Sequence, residues 1–222
     1  MKELTLVIPA KDEAECLPRV LDELKNFDCK KIIIIPETDL DTQNSIKNFD
    51  CKIITQKVGG YGGALIEGIK EVETNFLCIF NADGSFDPQY LKNMYNELLN
   101  NCDFVFNSRY EKDGGSDDDT FLTYIGNKII TFTCNLLFRL NISDVLFTYV
   151  MGKTLAFKSL DLKRKDFRFC IELPVLAKLK KYKLISRPSY ERPRISGKKK
   201  VNEFRDGFLI LLCIFKMFIS RK

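Results

Sequence analysis

Histidine is missing from all 222 residues. Its absence removes a Ser-His-Asp triad and any imidazole general base from the chemistry open to this chain. No Cys-x-x-Cys pair occurs either. The eight cysteines, at positions 16, 29, 51, 78, 102, 134, 170 and 213, stand well apart. A zinc site or a disulfide framework is therefore not expected, and most of these thiols read as core filling in a reducing compartment. An apolar leader is lacking: Leu4–Ala10 is too short, and charge returns at Lys11, Asp12 and Glu13, so the expected location is the cytosol. Neither Gly-x-Gly-x-x-Gly nor a Walker loop is present. Met151-Gly152-Lys153-Thr154 has no upstream glycine, which disfavours a P-loop NTPase. The late apolar run Phe208–Phe215 is closed by Lys216 and is too short to span a bilayer. Internal repeats and low-complexity segments are also absent.

What is present reads as a globular chain, with 45% hydrophobic and 29% charged residues and enough length for one large domain or two small ones. Net charge is +5 but uneven. Residues 1–150 carry 15 Lys/Arg and 24 Asp/Glu, a net −9, whereas residues 151–222 carry 20 and 6, a net +14. A basic final third points to an anionic partner such as a phosphate or a membrane surface. Nucleic acid is not favoured, because the basic residues are not interleaved with aromatics in a recognisable motif.

Short apolar, β-branched runs alternate with amphipathic stretches. Strands are expected at Leu4–Ile8, Lys31–Ile35, Cys51–Thr55, 76–80 and 104–106, with helices between them, so the chain predicts a mostly parallel α/β sheet covered on both faces. A longer helix is expected over about 121–140, with apolar positions at Ile125, Ile129, Phe132, Leu136 and Leu137. A helix is also expected over Phe169–Leu179, and an interfacial amphipathic helix over 204–219.

The stretch from Phe76 to Pro88 organises the rest. Its apolar strand gives way at once to Asn81, Asp83, Ser85 and Asp87, at the sheet edge where open α/β proteins bind ligands. Asn81 and Asp83 are two residues apart, so on extended backbone they point the same way at one cation, and their oxygens suit Mg²⁺ or Mn²⁺. The alternative is an Asx-turn and helix cap. The loops 9–13 and 36–42 follow two other strands and complete one crevice with 81–85. Val58-Gly59-Gly60-Tyr61-Gly62-Gly63-Ala64 either brings backbone close to a ligand and offers helix N–H groups to an anion, or is simply a tight turn.

Taken in order, these motifs resemble glycosyltransferase family 2, in particular its dolichyl/polyprenyl-phosphate mannosyltransferase-like branch. The resemblance rests on Val7-Ile8-Pro9-Ala10-Lys11-Asp12-Glu13, a degenerate Glu37–Thr42 loop, Gly60-Tyr61-Gly62-Gly63-Ala64 and Asn81-Ala82-Asp83. It continues through Ser108-Arg109-Tyr110, Asn141–Asp144, Glu172 and Arg194-Ile195-Ser196-Gly197 with the lysines after it. It implies a GT-A, Rossmann-like domain over 1–203 followed by the amphipathic helix of 204–222. It implies inverting transfer of a sugar from a GDP- or UDP-linked donor, assisted by Mg²⁺ or Mn²⁺.

On that resemblance, Pro9, Ala10, Lys11, Glu13, Asp39, Gly60, Gly63, Asn81, Ala82 and Asp83 hold the donor, and Asp83 with Asn81 holds the metal. Asn81 stands where the family has a first aspartate, which removes one charge from the cation site. A phosphate acceptor is already an anionic nucleophile and needs no base; a hydroxyl acceptor needs one, and Asp144 is the candidate. Arg109, with Arg194 and Lys200 of the basic loop, is expected to clasp the acidic group of the acceptor, a polyprenyl phosphate, since arginine meets phosphate oxygens bidentately. A glycan-elongating transferase and a non-catalytic nucleotide-sugar-binding protein on the same fold remain the alternatives. The basic third and the apolar late helix place the protein on the cytoplasmic face of a membrane.

Overall fold

Four successive isoleucines, Ile32 to Ile35, leave no face of their segment for water, and all four are buried. In a computed structural model of the chain, which describes residues 1–100, 102–197 and 203–220, they form the second strand of a seven-stranded sheet. The elements run β1 (Leu4–Pro9), α1 (Leu17–Glu23), β2 (Lys30–Pro36), α2 (Leu40–Ser45), β3 (Lys52–Gln56), α3 (Tyr61–Lys70) and β4 (Phe76–Ile79). They continue with α4 (Leu91–Leu99), β5 (Phe104–Ser108), β6 (Gly115–Ser116), α5 (Phe121–Phe138), β7 (Val150–Lys153) and α6 (Thr154–Ser159). The last are α7 (Phe169–Leu179), β8 (Leu184–Pro188), β9 (Tyr190–Glu191) and α8 (Glu203–Ile219).

The sheet order is β3-β2-β1-β4-β7-β5-β8, and every pairing is parallel except those of β7, which runs antiparallel to both β4 and β5. The five expected strands form in their expected order. β8 forms where Leu184-Ile185 reads as a short strand, and β7 is the addition: the stretch from Val145 to Val150 reads as apolar, and the pairing of 150–153 between β4 and β5 makes a strand of its end. Side-chain alternation along β1 divides the core. Leu4, Leu6 and Ile8 pack toward α1 and α4, while Val7 packs toward α3, α5, α7 and α8. Helices thus cover both faces of a mostly parallel sheet.

The expected boundary at 203/204 precedes a helix that is part of this second layer. α8 buries Ile210, Cys213 and Ile214 in the cluster that also holds Ile130, Cys134 and Phe138 of α5. The helices meet edge-on through Phe138 and Phe218, ring centroids 6.0 Å apart. All cysteines are free thiols, and six of the eight are buried.

Candidate active site

The carboxyl ends of β1, β2 and β4 lie side by side, so the loops after them meet at one edge of the sheet. There a cavity of about 730 Å³ opens. One wall is polar and comes from Pro9, Ala10, Lys11, Asp12 and Glu13 after β1 and from Asn81, Ala82 and Asp83 after β4. Gln56, Gly60 and Tyr61 continue it, and Arg109, Asp118, Asp119, Glu191 and Arg194 stand above. The rest of the lining is apolar and comes from Leu122, Ile129 and Ile130 of α5 and Phe208, Ile210 and Leu211 of α8, with Leu146 and Phe167.

Most of the expected donor residues therefore line one space, but several reach it indirectly. Asp39 does not line it. Its carboxylate caps α2 by accepting from the Thr42 N–H at 3.2 Å and accepts from the Asp12 N–H at 2.6 Å. Thr42 Oγ1 accepts from the Glu13 N–H at 2.9 Å. Asp39 thus shapes the 10–13 loop, where Asp12 sits at φ +54°, a left-handed conformation that aspartate tolerates.

The glycine turn departs further from expectation. A Cβ on Gly60 would stand 2.3 Å from the Lys165 carbonyl oxygen, and one on Gly63 would stand 2.4 Å from that of Val58. The Gly63 N–H already donates to Lys165 O at 2.9 Å. What approaches these glycines closely is the chain's own backbone, Lys165 at Gly60 and Val58 at Gly63, and the Gly63 N–H is spent internally. Gly60 still borders the cavity; Gly63 does not. Glu172 holds the 164–166 segment in place, its carboxylate accepting from the N–H groups of Lys163 and Arg164 at 2.9 and 2.8 Å.

Beyond β4 the backbone bends, so the extended spacing expected for Asn81 and Asp83 does not form. Asp83 Oδ1 accepts from both the N–H and the Oγ–H of Ser85, at 3.0 and 2.7 Å, and Gly84 takes φ +83°. Asn81 Nδ2 donates to Ser85 Oγ at 3.3 Å. The Asx-turn alternative is real, yet it coexists with a site: Asp83 Oδ2 is left facing the cavity, 3.8 Å from Arg194 Nη1. Among the described residues no group of three or more His, Cys, Asp or Glu side chains is arranged to hold a metal. One carboxylate and one carboxamide still fit Mg²⁺ or Mn²⁺ when phosphate oxygens and water supply the other positions.

Asp144 is corrected by the geometry. It is fully buried, and Arg109 grips both its oxygens, Nε to Oδ2 at 2.7 Å and Nη2 to Oδ1 at 3.1 Å. The same Oδ1 accepts from the N–H groups of Leu146 and Phe147. A carboxylate so saturated has no lone pair turned to a substrate proton, so it is not the base. It fixes the wall that carries Phe147.

Arg109 is equally committed. Its Nη1 reaches Glu191 at 3.2 Å and Asp119 at 3.4 Å, and its guanidinium lies against the rings of Phe147 and Tyr110. Burial works against its charge, but Asp144 above all, and then Glu191, raise its pKa and hold it cationic. A guanidinium with three carboxylates around it does not clasp an acceptor phosphate in this arrangement. Glu191 receives a smaller share of that cation than Asp144 does. Burial pushes its carboxyl above the ordinary value of 4.5, against the pull of Arg109 and of Ser116 Oγ–H, which donates at 2.6 Å.

Arg194 borders the polar wall, between Asp83 and Asp118, rather than the apolar lining. Lys200 lies outside the described residues, as do Lys198 and Lys199. Pairing of Arg109 with the acidic run 117–119 is the alternative that the sequence offers to an acceptor role, and the contact with Asp119 is that pairing; Glu191 carries no such signal. The acidic run 117–119 reads as a flexible loop, and only the β6–β9 pairing draws it to Glu191.

The family model described as "Glycosyl transferase family 2" matches residues 5–161. An uncharacterized glycosyltransferase of Mycobacterium tuberculosis is 26% identical over 219 residues, covering 98% of each chain. A low-salt glycan biosynthesis hexosyltransferase of Haloferax volcanii is 22% identical over 213 residues, which is 92% of this chain and 51% of that protein. Among solved structures, glucosyl-3-phosphoglycerate synthase of M. tuberculosis, in complex with Mn²⁺, UDP and glucosyl-3-phosphoglycerate, superposes with TM-score 0.73 at 13% identity. That match covers 98% of this chain and 79% of the other. Mannosyl-3-phosphoglycerate synthase from Rubrobacter xylanophilus gives TM-score 0.66 at 14% identity, covering 98% and 72%. At such identities the superpositions speak to the GT-A fold, which they share with this chain.

Proposed function

Because the chain belongs to glycosyl transferase family 2, we propose that it moves a hexosyl group from a GDP- or UDP-linked sugar to an acceptor with a long apolar chain, a polyprenyl phosphate. One observation carries this reading. The cavity lining is of two kinds, polar at Asp83, Asn81 and Lys11 and apolar where α5 and α8 contribute. A small acid such as the phosphoglyceric acid held by a structural neighbour has no use for that apolar part.

An oxygen of the acceptor phosphate attacks the anomeric carbon. The bond from that carbon to the diphosphate oxygen breaks with inversion, and its electron pair leaves on the nucleoside diphosphate. Asp83 and Asn81 would hold Mg²⁺ or Mn²⁺, which when bound would neutralise charge on the departing diphosphate. Pro9 to Glu13 seat the donor, and Asp39 and Thr42 hold that loop in shape. Arg109 and Asp144 brace the wall between donor and acceptor. No general base is required, because the phosphate is ionised before it binds. Glu191 favours a second reading, transfer to a hydroxyl of a growing glycan. It is the cavity carboxylate whose affinity for a proton is raised, and such a group accepts one from a hydroxyl.

The same two helices supply the membrane half of the proposal. Phe132 and Leu136 of α5 are 68% and 66% exposed, and Phe208 of α8 is 63% exposed. No helix among the described residues is long and apolar enough to cross a membrane. We place this face on the cytoplasmic leaflet, beside the opening through which a lipid-linked acceptor enters.

The test is product analysis with radiolabelled UDP- and GDP-sugars, Mn²⁺, and either a polyprenyl phosphate, 3-phosphoglycerate or a short glycan. Label should pass into organic solvent with the polyprenyl phosphate, and Asp83→Ala should abolish this while leaving the circular dichroism spectrum unchanged. Transfer to 3-phosphoglycerate alone, or to the glycan alone, would overturn the acceptor; saturable donor binding with no turnover on any acceptor would identify a binding protein.

A further inference from the structure

The segment that follows β9 crosses the Asp83 turn like an added strand. Phe86 and Glu191 form an antiparallel bridge, the Arg192 N–H donates to Ser85 O at 2.9 Å, and the Ile195 N–H donates to Asp83 O at 2.8 Å. Side chains fasten it further: Arg192 donates to the carbonyls of Gly84 and Phe86, and Ser196 Oγ–H donates to Glu15 Oε2 at 2.8 Å. Ile195 Cδ1 sits only 2.5 Å from where a Cβ on Gly84 would be, so the strap lies flat on the turn. Held between these anchors, Arg194 projects its guanidinium into the cavity. Nη2 donates to Asp118 Oδ2 at 3.2 Å, Nη1 stands 3.8 Å from Asp83 Oδ2, and Nε is buried with no hydrogen-bond partner.

We propose that Arg194 is the resident counter-charge of Asp83 and gives it up to the donor's diphosphate, so that the divalent cation is bound tightly only together with the nucleotide. Three features point the same way. The oxygen of Asp83 that remains after the Ser85 turn is the one Arg194 faces. Asn81 contributes no charge, so a bare cation entering between Asn81 and Asp83 meets the Asp83 carboxylate with the Arg194 guanidinium already facing it. The Nε left without a partner and the planar Nη pair are donors that a phosphate satisfies and a metal ion does not. Asp118 holds the guanidinium within reach of both positions. The inference deepens the proposed function and rests on it for the identity of the diphosphate.

The experiment separates metal from nucleotide by calorimetry on the full chain. Mn²⁺ is titrated alone, and UDP and GDP are each titrated without metal. Arg194→Gln should bind Mn²⁺ at least about fivefold tighter than the unaltered protein and bind the preferred diphosphate at least about fivefold more weakly. Arg194→Lys, which keeps the charge, should bring both affinities back toward the starting values. A residue that merely holds the strap in place would lower both affinities together when lost. Unchanged or weaker Mn²⁺ binding by Arg194→Gln overturns the inference, as does unchanged diphosphate binding. If the unaltered protein binds neither UDP nor GDP, even with Mn²⁺ present, the proposed donor is wrong, and the Mn²⁺ titration alone decides the counter-charge.

Discussion

Asp144 and Glu191 share one arginine on unequal terms, and their variants should behave in opposite ways. Asp144 takes the bidentate side of Arg109 and is fully buried, so Asp144→Ala leaves a buried guanidinium with only its longer contacts to Glu191 and Asp119. Loss of one partner of a buried pair costs about 3–5 kcal/mol, and urea denaturation should show a loss of that order. A loss under about 1 kcal/mol would mean that Arg109 finds water or another partner. Glu191 differs in sign. Its carboxyl is raised in the folded protein, chiefly by burial, so its native form favours the proton. That contribution is complete below the ordinary carboxylate value of 4.5 and is lost as pH rises through the raised value. Glu191→Gln carries a permanent neutral amide in its place. The stability difference, Glu191→Gln minus the unaltered protein, should therefore grow as pH is raised above about 4.5, measured as denaturation midpoints across a pH series. Parallel curves would show that Glu191 titrates alike in the folded and unfolded chains.

At the scale of elements, the glycine turn before α3 is a packing joint. A Cβ on Gly62 would lie 2.2 Å from the Arg164 carbonyl oxygen and 2.9 Å from that of Asp166, both backbone atoms. Gly62→Ala must displace the 164–166 segment, and a destabilisation of about 1–3 kcal/mol is expected from such overpacking. An unchanged melting temperature would refute the joint. The five parallel strands were legible because runs such as Ile32 to Ile35 or Leu77 to Phe80 contain only apolar residues, and burial on both faces needs nothing else. The loops that build the polar wall were legible too, since polar side chains cluster after those runs. α5 was read differently from how it packs. Its stripe of Ile125, Ile129, Phe132 and Leu136 has the spacing of a core face, yet these residues are exposed, and Ile130, Cys134 and Phe138 are buried instead. Periodicity reports that a helix has an apolar side; it does not say whether protein or something else covers it. The parts of the site that were illegible are those made by pairing across long separations. Glu191 reaches Arg109 over 82 residues and Arg194 reaches Asp118 over 76, distances at which no local pattern signals a contact.

For the molecule as a whole, the acidic first two-thirds and basic last third become a statement about orientation. α5 and α8 present their exposed apolar stripes from one packed pair, and α8 follows the most basic stretch of the chain. Co-sedimentation with anionic vesicles, weak or absent with neutral ones and reduced by salt, is the expected result, because each basic residue near an anionic surface contributes on the order of 1 kcal/mol. Phe132→Ser combined with Phe208→Ser should weaken it further without unfolding the protein, both side chains being exposed. Equal recovery in the supernatant for both vesicle types would remove the membrane from the proposal. The antiparallel β7, lodged between β4 and β5, has a bearing on how the protein is made. Residues 1–79 can pair β3-β2-β1-β4 as soon as they leave the ribosome, but the other half of the sheet cannot join until residue 153 has emerged. Arg194, which faces Asp83, and Glu191, which completes the set around Arg109, come later still. A nascent chain halted before that point therefore has its donor loops in place with no strap across them, and vectorial synthesis makes sugar transfer the last property the protein acquires.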